Sequence, residues 1–133
     1  KVEVHASLAE DLPLVVGDDG QLTQVFLNLV INALQAMPDG GRLEVASGLS
    51  DAAPGFVSVR VTDTGVGIPA AHVAKLFEPY FTTREGGLGL GLAIAYRIVK
   101  DHGGRIDVRS GLGAGTTMTV LLPIRRQDAY LWG

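Results

Sequence analysis

The 133-residue chain has no cysteine. Disulfide frameworks, thiolate metal sites and cysteine nucleophiles are therefore excluded, and the composition suits a reducing cytoplasm. Positive charge is thin as well: eleven Lys and Arg stand against fourteen Asp and Glu, and they are scattered. With no basic stripe to neutralise a phosphate backbone, nucleic acid is not an expected partner. Long apolar runs are also missing, since Asn28, Asn32 or glycines break each one well short of the ~20 residues a membrane helix needs. No signal peptide is visible. The start at "KVEVHASL", without Met, reads as a piece of a longer protein, whose missing part can hold a membrane anchor.

What the chain does have is glycine, 18 residues of it, with four inside the six positions from Gly86 to Gly91. Glycine is costly to order, so such a cluster ahead of a helical run calls for a reason, and a ligand touching the backbone is one. The length fits one domain over residues 1–124, with residues 125–133 as a tail. "KVEVHA" and "LPLVVGD" read as short strands. Leu22, Val25, Phe26, Leu29, Val30, Ala33 and Met37 then recur at helical spacing, capped by Asp18 or Asp19 and stopped by "PDGG". "GRLEVASG" and "GFVSVRVTD" read as a hairpin, and a short helix follows near Ala71 to Phe77. Leu90, Ile94 and Ile98 set the face of a further helix that ends at "DHGG". "GRIDVRSG" and "GTTMTVLLP" close the domain as strands. The fold class is α/β (α+β): a two-layer sandwich in which about three helices cover one face of a mixed, mostly antiparallel sheet.

Polar residues interrupt this pattern at a few places. Gln24, Asn28 and Asn32 follow one another at i+4 on one face of the first long helix, among Leu and Val. An Asn there can bond a neighbouring strand or face solvent. Two amides one turn apart can also aim carbonyl oxygens at a hard cation such as magnesium. "DTGVGI", residues 63 to 68, follows a strand, so Asp63 can offer a carboxylate to an exocyclic amine beside the bare backbone of Gly65 and Gly67; a simple Asx turn is the plainer alternative. Gly65, Gly67 and Ala70, with Glu85 further on, also satisfy a dinucleotide fingerprint. That motif requires a second buried strand where "LFEPYFTTREGG" stands. Gly86 and Gly91 have the spacing of a phosphate loop, but Leu92 and Ala93 occupy the places of its Lys and Ser or Thr. What remains is a glycine run with bare N–H groups at a helix start, favourable to phosphate oxygens.

In order along the chain, "NLVINA", "DTGVGI", "FEPYFTT", "GGLGLGL" and "GAGTT" resemble the asparagine, first glycine, phenylalanine, second glycine and last glycine boxes of the ATP-binding catalytic domain of sensor histidine kinases. That superfamily includes gyrase, heat-shock chaperone and mismatch-repair ATPases. The resemblance implies a Bergerat-type ATP site holding ATP and Mg2+. Asn32 would coordinate the magnesium with Asn28 as a second contact, and these two would be the catalytic pair. Asp63 would read the adenine amino group, with Gly65 and Gly67 letting the ring approach and Thr116 supporting the same end. Phe77 to Gly87 would form a lid. Gly87, Leu88, Gly89, Leu90 and Gly91 would present backbone donors to the phosphates, and Arg84 would reach in when the lid closes.

The related ATPases carry a glutamate where this chain has Asn28, and an amide cannot act as a base. The expected reaction is therefore transfer of the γ-phosphate to a protein histidine, which needs positioning and charge stabilisation above all. His5, His72 and His102 lie on none of the long helices. The acceptor is expected on the parent's own dimerisation domain, in a homodimer that passes phosphate to a response regulator. The short lid resembles that of nitrogen-regulation kinases, with Phe77, Tyr80 and Phe81 as lid anchors or core. A non-catalytic nucleotide-binding module and an anti-sigma-type protein-serine kinase share the fold.

Overall fold

A computed structural model describes residues 1–79, 81 and 90–124. Its strands are β1 (Val2–Ser7), β2 (Gly41–Leu49), β3 (Phe56–Asp63), β4 (Arg105–Ser110) and β5 (Thr116–Pro123), and its helices are α1 (Asp19–Gln35), α2 (Ala70–Val73) and α3 (Gly91–Asp101). The strands form one sheet in the order β1-β2-β3-β5-β4. Only β1 runs parallel to its neighbour; the other three pairings are antiparallel. The expected hairpin is β2–β3, and its register sets Asp63, at the end of β3, opposite Leu43 on one side and Thr116 on the other.

Helix α1 forms where the 3.6-residue pattern lies. Asp18 caps it, its carboxylate accepting from the Gln21 N–H at 2.8 Å. Val25, Leu29, Ala33 and Met37 are buried, with Leu22, Phe26 and Val30 packed at the margin. The same core takes Val61, Met118 and Val120 from the sheet and Ala95, Ile98 and Val99 from α3. Its lining makes a two-layer arrangement, because one apolar stripe per helix is all that a single sheet face can cover.

Three expectations are corrected. Residues 12–18, "LPLVVGD", form no strand. β1 already occupies that sheet edge, Pro13 brings no N–H, and Leu14 and Val16 point outward while only Val15 packs against the core. The segment is instead tied at its end, where the Asp18 N–H donates to His102 Nε2 at 3.1 Å. On α3 the inward face is Ala95, Ile98 and Val99, whereas Ile94 is 44 % exposed. Fully buried Ala95 lets α3 lie close against its neighbours, and that rotation carries Ile94 out. The short helix α2 also stops at Val73, with turns continuing to Phe77.

Candidate functional site

One cavity of about 100 Å³ opens between the C-terminal half of α1, the end of β3 and α2. Asn32, Asp63, Gly67 and Thr116 all line it, so four of the residues singled out in the sequence converge although they span more than half the chain. Its remaining walls are mostly apolar and include Ala36, Ile68, Leu76 and Phe81. A mainly apolar cleft with a few convergent polar groups is the usual form of a small-molecule site.

Asp63 is the polar floor. It is 5 % exposed, and the Gly65 N–H donates to its Oδ1 at 2.8 Å, closing an Asx turn. Burial pushes its carboxyl above the usual carboxylate range, and donation from the Gly65 and Thr116 main chain pulls partly the other way. Thr116, equally buried, is positioned by Ser110, a residue that carries no sequence signal. The Ser110 hydroxyl donates to the Gly115 carbonyl at 3.0 Å and accepts from the Ile68 N–H at 2.8 Å. Its single proton is thereby committed, so Thr116 Oγ1 must be the donor across the 2.7 Å contact between the two hydroxyls.

The glycines after Asp63 are fixed by the backbone around them. A Cβ on Gly65 would lie 2.3 Å from the Ala36 carbonyl, and Gly65 does not line the cavity. Gly67 has φ +77°, and a Cβ there would fall 1.9 Å from the Gly111 carbonyl. The loop is strapped on both sides, by the Val66 N–H to the Ala36 carbonyl at 3.0 Å and by the Gly113 N–H to the Val66 carbonyl at 2.9 Å. These glycines thus let three backbone segments meet, and Gly67 does so at the cavity wall.

Asn28, one turn before Asn32, does not line the cavity. Its Nδ2 donates to the Gly91 carbonyl at 2.8 Å, and its Oδ1 accepts from Gln24 Nε2 at 2.8 Å. Leu90 is the residue that caps α3, with no side-chain bond, and Gly91 is its first residue. Arg84, Gly87, Leu88 and Gly89 lie outside the described residues, as do Tyr80, most of the expected lid and the tail 125–133. Phe77 stacks on Tyr96 with ring centroids 5.1 Å apart, and Phe81 meets His72 edge-on at 5.4 Å.

His72, set aside in the sequence as a phosphoacceptor, lines the cavity on α2, and its Nδ1 is buried with no hydrogen-bond partner among the described residues. Nothing in the sequence marked it as part of this site, nor the wall residues Ala36 and Leu76. No group of three or more His, Cys, Asp or Glu able to hold a metal occurs among the described residues. Amide oxygens are weak ligands compared with carboxylates, so these donors suit a hard cation that arrives already bound to phosphate.

The family model of the histidine kinase-, DNA gyrase B- and HSP90-like ATPases matches residues 17–126. The chain belongs to this ATPase family. It is 42 % identical over 124 residues to the sensor histidine kinase ZraS of Escherichia coli K12, covering 93 % of this chain and 26 % of that protein. It is 38 % identical over 125 residues to sporulation kinase E of Bacillus subtilis 168, covering 94 % of this chain and 17 % of the other. The chain therefore spans about a quarter or less of these curated relatives. Among solved structures, the mycobacterial sensor histidine kinase MprB superposes with a TM-score of 0.81 at 34 % identity, over 93 % of this chain and 83 % of that one. Full-length ShkA in complex with AMPPNP gives 0.80 at 32 % identity, over 92 % and 26 %. The five-stranded mixed sheet with its helices on one side is thus the architecture of histidine kinase catalytic domains. No helix among the described residues is long and apolar enough to cross a membrane.

Proposed function

We propose that this domain binds magnesium with ATP in the cavity between α1 and β3 and donates the γ-phosphate to a histidine on the dimerisation domain of a larger, homodimeric sensor kinase. The observation that carries the reading is the placement of Asn32 and Asp63 on walls of one cavity, with Thr116 beside the carboxylate. Asp63 accepts from the adenine amino group, a role its buried carboxylate fills as a fixed acceptor of matching size. Asn32 supplies an oxygen to the magnesium, which when bound neutralises phosphate charge. The AMPPNP complex of ShkA and the kinase names of the relatives support the same assignment.

Transfer to protein is favoured over hydrolysis because an amide, Asn28, stands where the related ATPases carry their glutamate base. The acceptor lies in another part of the parent. His5 sits on the edge strand β1 beside Glu3, and both ring nitrogens of His102 are engaged, by Ile98 O at 2.7 Å and the Asp18 N–H. A response regulator receives the phosphate, and the domain works in the cytoplasm.

The test is calorimetric titration of ATP into the wild-type chain and Asn32→Ala, each with magnesium and with EDTA. Wild type is expected to bind more tightly with magnesium, by about 10-fold or more, and Asn32→Ala to lose that increment. The chain alone should neither label itself nor hydrolyse ATP briskly. Autophosphorylation of the isolated chain, or rapid hydrolysis abolished by Asn32→Ala, refutes the transfer reading.

A further inference from the structure

Asn28 is expected from the family resemblance to touch the metal, but its amide has other partners here. A main-chain carbonyl can only accept, so the bond to Gly91 fixes which end of the Asn28 amide faces α3. Gln24 fixes the same orientation from the other side, since its Nε2 must be the donor to Asn28 Oδ1. The two amides form a relay from the surface of α1 to the first residue of α3. Among the described residues, the atoms beyond the local chain within 4 Å of a Cβ built on Gly91 belong to Asn28, at 3.9 and 4.0 Å, and Leu90 makes no side-chain cap. The first N–H groups of a helix have no intrahelical partner, and they are what an anionic ligand meets. Their distance from Asn32 therefore depends on the tie between the two helices.

We propose that Asn28 is a positioning residue: through its bond to the Gly91 carbonyl it holds the start of α3 at the distance from Asn32 that a triphosphate spans, and it does so without ligating the metal. The proposal rests on the nucleotide reading above. It separates amide from carboxylate at this position. An Asp would keep an oxygen for a cation but lose the N–H donor and set negative charge against the carbonyl, so a ligand role and a positioning role predict opposite results for Asn28→Asp.

The experiment titrates ATP and adenosine into the 133-residue chain as wild type, Asn28→Ala, Asn28→Asp and Asn32→Ala, in magnesium and in EDTA. Amide exchange is followed without nucleotide at Ile94, whose N–H bonds the Leu90 carbonyl at 2.9 Å in the first turn of α3. Both Asn28 variants are expected to weaken ATP binding about 5-fold, by the same factor in the two buffers, as loss of one hydrogen bond implies. Adenosine, which has no phosphate, should bind wild type and both variants alike. Ile94 exchange should quicken in the Asn28 variants but not in Asn32→Ala. A loss confined to magnesium, or Asn28→Asp binding ATP as tightly as wild type, makes Asn28 a metal ligand and overturns the proposal. Equal loss for adenosine, or unchanged Ile94 exchange in the Asn28 variants, also overturns it. A wild type that binds no ATP in either buffer refutes the nucleotide reading instead, and the exchange data still judge the tie.

Discussion

Gly67 and Gly91 are both part of glycine-rich stretches, and they are glycine for different reasons. At Gly67 the backbone is left-handed and a side chain would run into the Gly111 carbonyl at 1.9 Å. At Gly91 the nearest atom to a built Cβ is Asn28 Cγ, at 3.9 Å, which is ordinary contact. The end of the cleft at β3 is thus built by backbone packing and is complete in the resting protein. Where α1 meets α3, outside the cavity lining, the contact is made by side-chain amides, Asn28 bonding the Gly91 carbonyl, and Gly91 has room for a side chain. Glycines that look alike in sequence divide, in space, into one that backbone packing demands and one that it does not.

The comparison breaks first at Gly67. Gly67→Ala should destabilise the fold by about 3 kcal/mol or more, because strain and a backbone clash act together, and denaturant unfolding measures it. A loss under ~1 kcal/mol would mean that the strapped loop yields easily. Next comes Asp63→Asn, which keeps the shape but loses the charged acceptor. ATP binding should weaken about 10- to 100-fold by calorimetry. This variant also tests the carboxyl's titration. Because burial raises its folded value, the native state holds the proton more firmly than the unfolded chain does. Wild-type stability from this group is therefore highest in acid and falls as pH rises from the ordinary carboxylate value through the raised one. Stability of wild type relative to Asp63→Asn should decline across that window and stay level above it; a difference flat in pH would contradict the raised value. The smallest effect on the fold belongs to Gly91→Ala, expected to change stability by no more than ~0.5 kcal/mol in either direction while still weakening ATP binding. Full ATP affinity in that variant would erase the distinction between the two glycines.

Much of this was legible in the sequence. The spacing of Val25, Leu29 and Ala33 and the cap at Asp18 are local, and so is the alternation in β3; each states its own geometry. Asn32, Asp63, Gly67 and Thr116 were legible for another reason: polar or flexible residues placed among apolar ones are conspicuous, and their order matches a known pattern. What escaped depends on distant partners. Residues 12–18 have strand-like composition, but whether a sheet edge is free is decided elsewhere in the chain. Ile94 shares its period with Ile98, and only the close approach at Ala95 decides which one turns in. Ser110 organises the Thr116 end by bonding Ile68, 42 residues away, and no pattern in the sequence marks such a hydroxyl.

The direction of the Ser110 bonds bears on which bases the cleft admits. With the Thr116 proton spent on Ser110, that hydroxyl offers the cleft lone pairs and no hydrogen. A purine bearing an amino group brings the hydrogens itself, whereas one bearing an oxo group at the same place would face oxygen with oxygen. Under the proposed nucleotide reading, the preference for adenine over guanine depends on the path of one hydroxyl proton, at a residue one hydrogen bond behind the cavity wall.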